Sequence, residues 1–130
     1  MKGFRPNEEM YLKDGCDIVN AVIEAADIST VDGPVVDITL KLPVGGVVFG
    51  GVCFGTEKLT DDGRETYMEG WDKGMTAILR IMQLAEVKHW NDLMGKPLRA
   101  VLKDGMIVAI GHFLYDQFMD YNKPPFLEER

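Results

Sequence analysis

Two side chains at the C-terminal end of the sequence have the chemistry to hold a small anion. Arg99 presents a planar fork of donors that matches phosphate bidentately, and His112 adds an imidazole. Between them lies a hairpin signal, 98–103, Asp104-Gly105, 106–114, in which two turn residues separate two apolar runs. A two-residue loop pairs Lys103 with Met106, Leu102 with Ile107, Val101 with Val108, Ala100 with Ala109 and Arg99 with Ile110. That register puts Arg99 and His112 on one face as diagonal neighbours, within reach of a single small anion. Arg80 is a further candidate cation, and Phe49, Trp71 and Trp90 are the flat groups on which a base could stack. Gly50 and Gly51 sit inside an apolar strand. Interior strand glycines mark a bulge, or a place where another group approaches bare backbone, here a ligand ring or a partner chain.

Catalytic sets are harder to assemble. His89 and His112 are not at ligand spacing with each other or with Cys16 or Cys53, so a zinc site is not expected. Cys53 lies in an apolar run with no adjacent base, which reads as a buried inert thiol. The acidic pairs Glu8-Glu9, Asp61-Asp62 and Glu128-Glu129 stand in polar segments and read as solvated charge. Asp61-Asp62-Gly63 lacks the later ligands of a calcium loop, and no Gly-Lys-Ser/Thr follows Gly50-Gly51 to make a phosphate loop. The expectation is therefore a binding protein, not an enzyme, with no cofactor and no metal.

The elements that must position these residues follow from periodicity. Residues 1–16 read as an arm whose Phe4, Met10, Tyr11 and Leu12 lie across the domain or a neighbouring subunit. A strand over about 21–29 pairs, through a turn at Asp32-Gly33-Pro34, with the alternating Val36, Ile38, Leu40 and Leu42. A third strand covers 47–55 and a polar loop 56–65. Residues 67–87 read as the main helix, with Trp71, Met75, Ile78, Met82 and Ala85 as its core stripe. Gly70, Gly74 and Ala77 form a second line against which something should press. A short helix at 90–94, stopped by Gly95 and Pro97, leads into the hairpin, and 122–130 is a surface strap. This amounts to an α+β domain over 17–121, with an antiparallel sheet of about five strands, one long packing helix and a short second one.

Length and charge bound the partners. A chain of 130 residues supports one core. Its apolar runs are far too short for a membrane helix, and the first nine residues lack a secretion signal, so a cytoplasmic protein is expected. With 21 acidic against 14 basic residues the net charge is -7, which opposes duplex nucleic acid. A pocket that needs only two or three local cations remains compatible with that balance.

The run 74–82, its continuation through 86–99, the Ala109-Ile110-Gly111-His112-Phe113-Leu114 segment and Phe49-Gly50-Gly51 together resemble a family of small phage and prophage proteins over about 18–120. The group is similar to the first type of anti-Thoeris sponge, which sequesters cyclic ADP-ribose signals made by bacterial TIR-domain enzymes. The resemblance implies binding without cleavage, in pockets between protomers of a homo-oligomer built on dimers and reaching a hexamer, with cyclic oligonucleotides as a further ligand class. It places the protein in the cytoplasm of an infected or lysogenic host. The alternative is an inhibitor that masks a host defence enzyme with its acidic surface.

Overall fold

In the computed structural model, residues 7–31 and 33–120 are described, with backbone alone at 51–52. The chain runs α1 (Glu8–Lys13), β1 (Asp17–Ser29), β2 (Val35–Lys41), β3 (Gly46–Cys53), β4 (Gly55–Leu59), β5 (Thr66–Gly70), α2 (Asp72–Ala85), a 3₁₀ turn (Trp90–Asp92), β6 (Pro97–Lys103), β7 (Met106–Gly111) and β8 (Phe118–Met119). Six strands form one antiparallel sheet in the order β3-β2-β1-β6-β7-β8, and β4 with β5 forms a separate two-stranded ribbon. The sheet curls, bringing its edge strand β3 toward β7. The α+β class expected from the sequence is what the chain adopts, with one more strand in the main sheet and an additional ribbon.

Strand β1 is the spine. It starts at Asp17, four residues before the expected start, because its first half pairs with β6 and only its second half with β2. Val22 is where the two pairings meet, opposite Lys41 on one side and Pro97 on the other. The alternation in β2 holds: Val36, Ile38 and Leu40 are buried and face α2. The inner face of the curl, with Ile23, Leu98, Ala100 and Ile110, packs against Ala77, Ile81 and Leu84 of the helix. A smaller cluster on the outer face joins Val101, Ala109 and Phe118 to Tyr11 of α1.

Several sequence expectations are corrected. The arm is not irregular: Asn7 caps α1 by accepting the Met10 amide hydrogen, and the helix docks on its own domain through Tyr11, wholly buried, while Leu12 stays exposed. Phe4 and the strap at 122–130 lie outside the described residues. Residues 67–70 are strand, not helix, and their partner is 55–59, the last residue of the expected third strand and the first four of the expected loop. The turn between them is stapled by Asp62, whose carboxylate accepts from Thr60 Oγ1 and the Arg64 amide; those bonds hold its pKa below the usual range.

The stripe on α2 is also displaced. Gly74, Ala77, Ile81, Leu84 and Ala85 face the core, whereas Trp71, Met75 and Leu79 are about half exposed and Ile78 and Met82 lie between. What presses on the small-residue line is Phe54, so close to Gly74 that a Cβ there would overlap it. Finally, the β6–β7 register slips by one after Leu102↔Ile107: Val101 pairs with Ala109, Ala100 with Ile110 and Arg99 with Gly111. The Asp104-Gly105 turn has the two positive φ values of a type I′ loop, as the dipeptide requires. The slip is a bulge, which no turn residue announces.

Candidate functional site

The bulge in β7 separates the two side chains that the regular register would have joined. Arg99 lies over the Phe118 ring on the outer face, 4.9 Å from ring centre to guanidinium carbon. Each of its three nitrogens donates once: Nε to the His112 carbonyl at 2.8 Å, Nη2 to the Tyr115 carbonyl at 2.9 Å and Nη1 to Glu8 at 3.4 Å. His112 is buried, with its ring between those of Phe113 and Tyr115. Its Nδ1 accepts the amide hydrogens of Leu114 and Tyr115, each at 3.0 Å. The proton therefore sits on Nε2, which donates to Glu86 at 2.6 Å. The shared anion site expected of this pair is not formed.

Both residues instead shape one loop. Arg99 grips the carbonyls of residues 112 and 115 while His112 grips the amides of 114 and 115, so the backbone between β7 and β8 is held through four of its polar groups. Glu86 completes the arrangement. It ends α2 in the left-handed region at φ 57°, where Val87 donates to Met82 and Glu86 to Gln83 in a Schellman pattern that ordinarily selects glycine. A side chain at that position costs about 1 kcal/mol, and the carboxylate that accepts from His112 is what a glycine could not supply.

The loop forms one rim of a cavity with room for a small ligand. That cavity, about 710 Å³, opens where β1, β2 and β6 meet at Val22, and it is lined chiefly by apolar groups, among them Pro43, Pro97, Phe113 and Leu114. Lys41, at the end of β2, and Asn20, on β1, supply polar contacts on the strand side. Volume and lining fall within the range of small-molecule sites. A flat base has Phe113 to lie against, and a phosphate has Lys41.

The remaining expected residues do not converge on this cavity. Phe49 is a core residue, buried against β2 and α2. Gly50 lies at a β2–β3 bulge, where Val36 pairs with Val52 and Ile38 with Phe49, so Asp37 faces two residues at once. The group close to bare backbone there is the Asp37 carboxylate, and neither a ligand nor a partner chain is needed to explain the glycine. Gly51 shares that bulge. Trp71 precedes α2, its amide donating to the Phe54 carbonyl, and Arg80 lies nine residues on, about 180° around the helix. Trp90 is half-buried against the inner core. Cys53 is exposed; the buried thiol is Cys16.

Lys41, Asn20, Phe113 and Leu114 were not singled out from the sequence. In the sequence Phe113 and Leu114 belong to the apolar run 106–114 and read as strand, so nothing local set them apart; β7 ends at Gly111 and leaves both in the loop that follows. Among the described residues, no three His, Cys, Asp or Glu side chains gather as a metal requires, and no helix is long and apolar enough to cross a membrane. Compared with known protein families, curated proteins and solved structures, the chain matches none.

Proposed function

We propose that the protein is a sponge: it takes up a cyclic nucleotide signal of the cyclic ADP-ribose kind, holds it unchanged, and so lowers its free concentration in the cytoplasm of an infected or lysogenic bacterium. The sequence resemblance supplies the ligand class. The observation that carries the reading is the cavity at the meeting of β1, β2 and β6, whose apolar rim with Phe113 and single lysine, Lys41, suit a molecule with a flat base and phosphates. Arg99 and His112 take part by positioning, since they fix the backbone that presents Phe113 and Leu114.

The test is to incubate the purified protein with the product mixture of a TIR-domain enzyme, desalt, heat-denature and examine the supernatant by mass spectrometry. Wild type should release an intact cyclic ADP-ribose isomer. Lys41→Ala and Phe113→Ala should each retain at least tenfold less, as loss of a charged hydrogen bond or of a stacking face costs on the order of 1.5 kcal/mol or more. Recovery of no nucleotide from wild type overturns the reading and turns attention to a protein partner. Recovery of a linear or hydrolysed product would make the protein an enzyme.

A further inference from the structure

The loop between β7 and β8, residues 112–117, is tied down from three sides. From within, His112 Nδ1 accepts the amide hydrogens of Leu114 and Tyr115, and the Phe113 and Tyr115 rings stack on the imidazole with centroids at 5.0 and 4.5 Å. From β6, Arg99 donates to the carbonyls of His112 and Tyr115. From α1, the Glu8 amide donates to Asp116 Oδ1 at 2.8 Å and the Glu8 carboxylate pairs with Arg99. Glu86 of α2 meets the ring itself, 2.6 Å from Nε2. Arginine and carboxylates ordinarily keep their charge between pH 8 and pH 5, whereas imidazole is the side chain that changes charge in that range.

We infer that His112 and Glu86 form a proton-operated latch on the cavity rim: a neutral His112 holds the loop so that Phe113 and Leu114 line the cavity, and a second proton on the ring releases them. The bond pattern sets the direction. A neutral ring with its hydrogen on Nε2 donates to Glu86 and keeps a lone pair on Nδ1 for the two amides. Imidazolium carries a hydrogen on both nitrogens, so Nδ1–H faces two N–H donors and both bonds to the loop are lost, while the bond to Glu86 becomes a charge-assisted pair. The ring stays with α2 and the loop lets go. Glu86 is a positioning residue in this arrangement: it fixes the hydrogen on Nε2, which leaves Nδ1 open to the loop, and that is the use of a carboxylate at a left-handed position. Arg99 limits the movement, because its hold on the carbonyls of 112 and 115 does not depend on that proton; opening re-aims Phe113 and Leu114 and leaves the sheet intact. The closed loop is therefore favoured above the pH at which the ring takes its second proton and lost below it. The consequence for binding rests on the cavity's holding a nucleotide, whereas the latch itself does not.

NMR of ¹⁵N-labelled, ligand-free protein from about pH 8 to pH 5.5 tests it. At the upper end the His112 ring should show an unprotonated Nδ1; on acidification Nδ1 should gain its hydrogen, and the Leu114 and Tyr115 amides should lose their hydrogen-bonded shifts with the same midpoint. His112→Asn, whose amide oxygen can accept the same two hydrogens and does not titrate, should keep both amides fixed throughout. Glu86→Gln retains an acceptor for Nε2–H and removes the charge that favours imidazolium, so the shared midpoint should move to lower pH; a residue that served only to end the helix would leave it unchanged. In the nucleotide release assay, wild type should retain about tenfold less at pH 5.5 than at pH 7.5, the order expected for two lost hydrogen bonds, and His112→Asn should retain equal amounts at both. A ring that stays neutral down to pH 5.5, a ring that titrates while the two amides stay fixed, or equal wild-type retention at both pH values would each overturn the inference. No nucleotide retained at either pH counts against the sponge reading instead, and the latch is then decided by the spectra.

Discussion

Tyr11 shows how much one residue can contribute in a small domain. It sits wholly buried beneath α1, its hydroxyl donating to Asp120 Oδ2 at 3.3 Å. Burial first, and the charge of Asp120 second, push its pKa far above the ordinary 10.0. A phenol that is harder to ionise when folded stabilises the fold fully below pH 10 and loses that contribution as the pH rises beyond it. Tyr11→Phe should therefore lower stability at pH 7 by about 1 to 2 kcal/mol, yet flatten the decline between pH 9 and 11, read as urea midpoints at each pH. An equally steep decline in the variant would locate the alkaline sensitivity elsewhere. Arg99 and His112 make the complementary point: the sequence marked them as the residues with something to hold, and what they hold is the backbone of their own loop. A guanidinium fork fits paired carbonyls as well as it fits a phosphate, and residue type does not distinguish the two.

At the scale of elements, the informative disagreement is at 67–87. Tyr67, Met68, Trp71 and Met75 extend an apolar helical spacing upstream, but Gly70 interrupts it, and Thr66 to Gly70 find hydrogen-bonding partners in β4. The helix then begins at Asp72 and rotates its small residues inward so that it can approach Phe54. Gly74→Ala separates propensity from packing. On helix propensity alone alanine should add about 1 kcal/mol; with Phe54 where the new methyl must go, we expect a net loss of about 1 to 3 kcal/mol, measured as a lower urea midpoint. A gain would mean that α2 can slide away from β3 without cost. The β-hairpin carries the same lesson: its turn was legible in Asp104-Gly105, and its first two pairs followed, but the bulge beyond Leu102 was not, because nothing local demands it.

For the whole molecule, the cavity and the exposed apolar side of α2 are separate. The cavity lies where β1, β2 and β6 meet, whereas the exposed Trp71, Met75 and Leu79 stand on or next to α2 and line no part of it. Met75→Gln/Leu79→Gln should therefore retain as much nucleotide per chain as wild type, quantified by the same release assay; a loss would mean that the ligand reaches α2. By itself the sequence determined the α+β class, the β1–β2 and β6–β7 hairpins, the inward alternation of β2, the glycine that stops the 3₁₀ turn and the acidity of the surface. Each of these follows from local propensity, side-chain period or summed charge. Only the tertiary structure decided which face of α2 is buried, where bulges shift the register, and that Lys41 and Phe113 line the same cavity. Those features depend on contacts between segments distant in the chain, and a shift of one residue along a strand turns every later side chain to the opposite face.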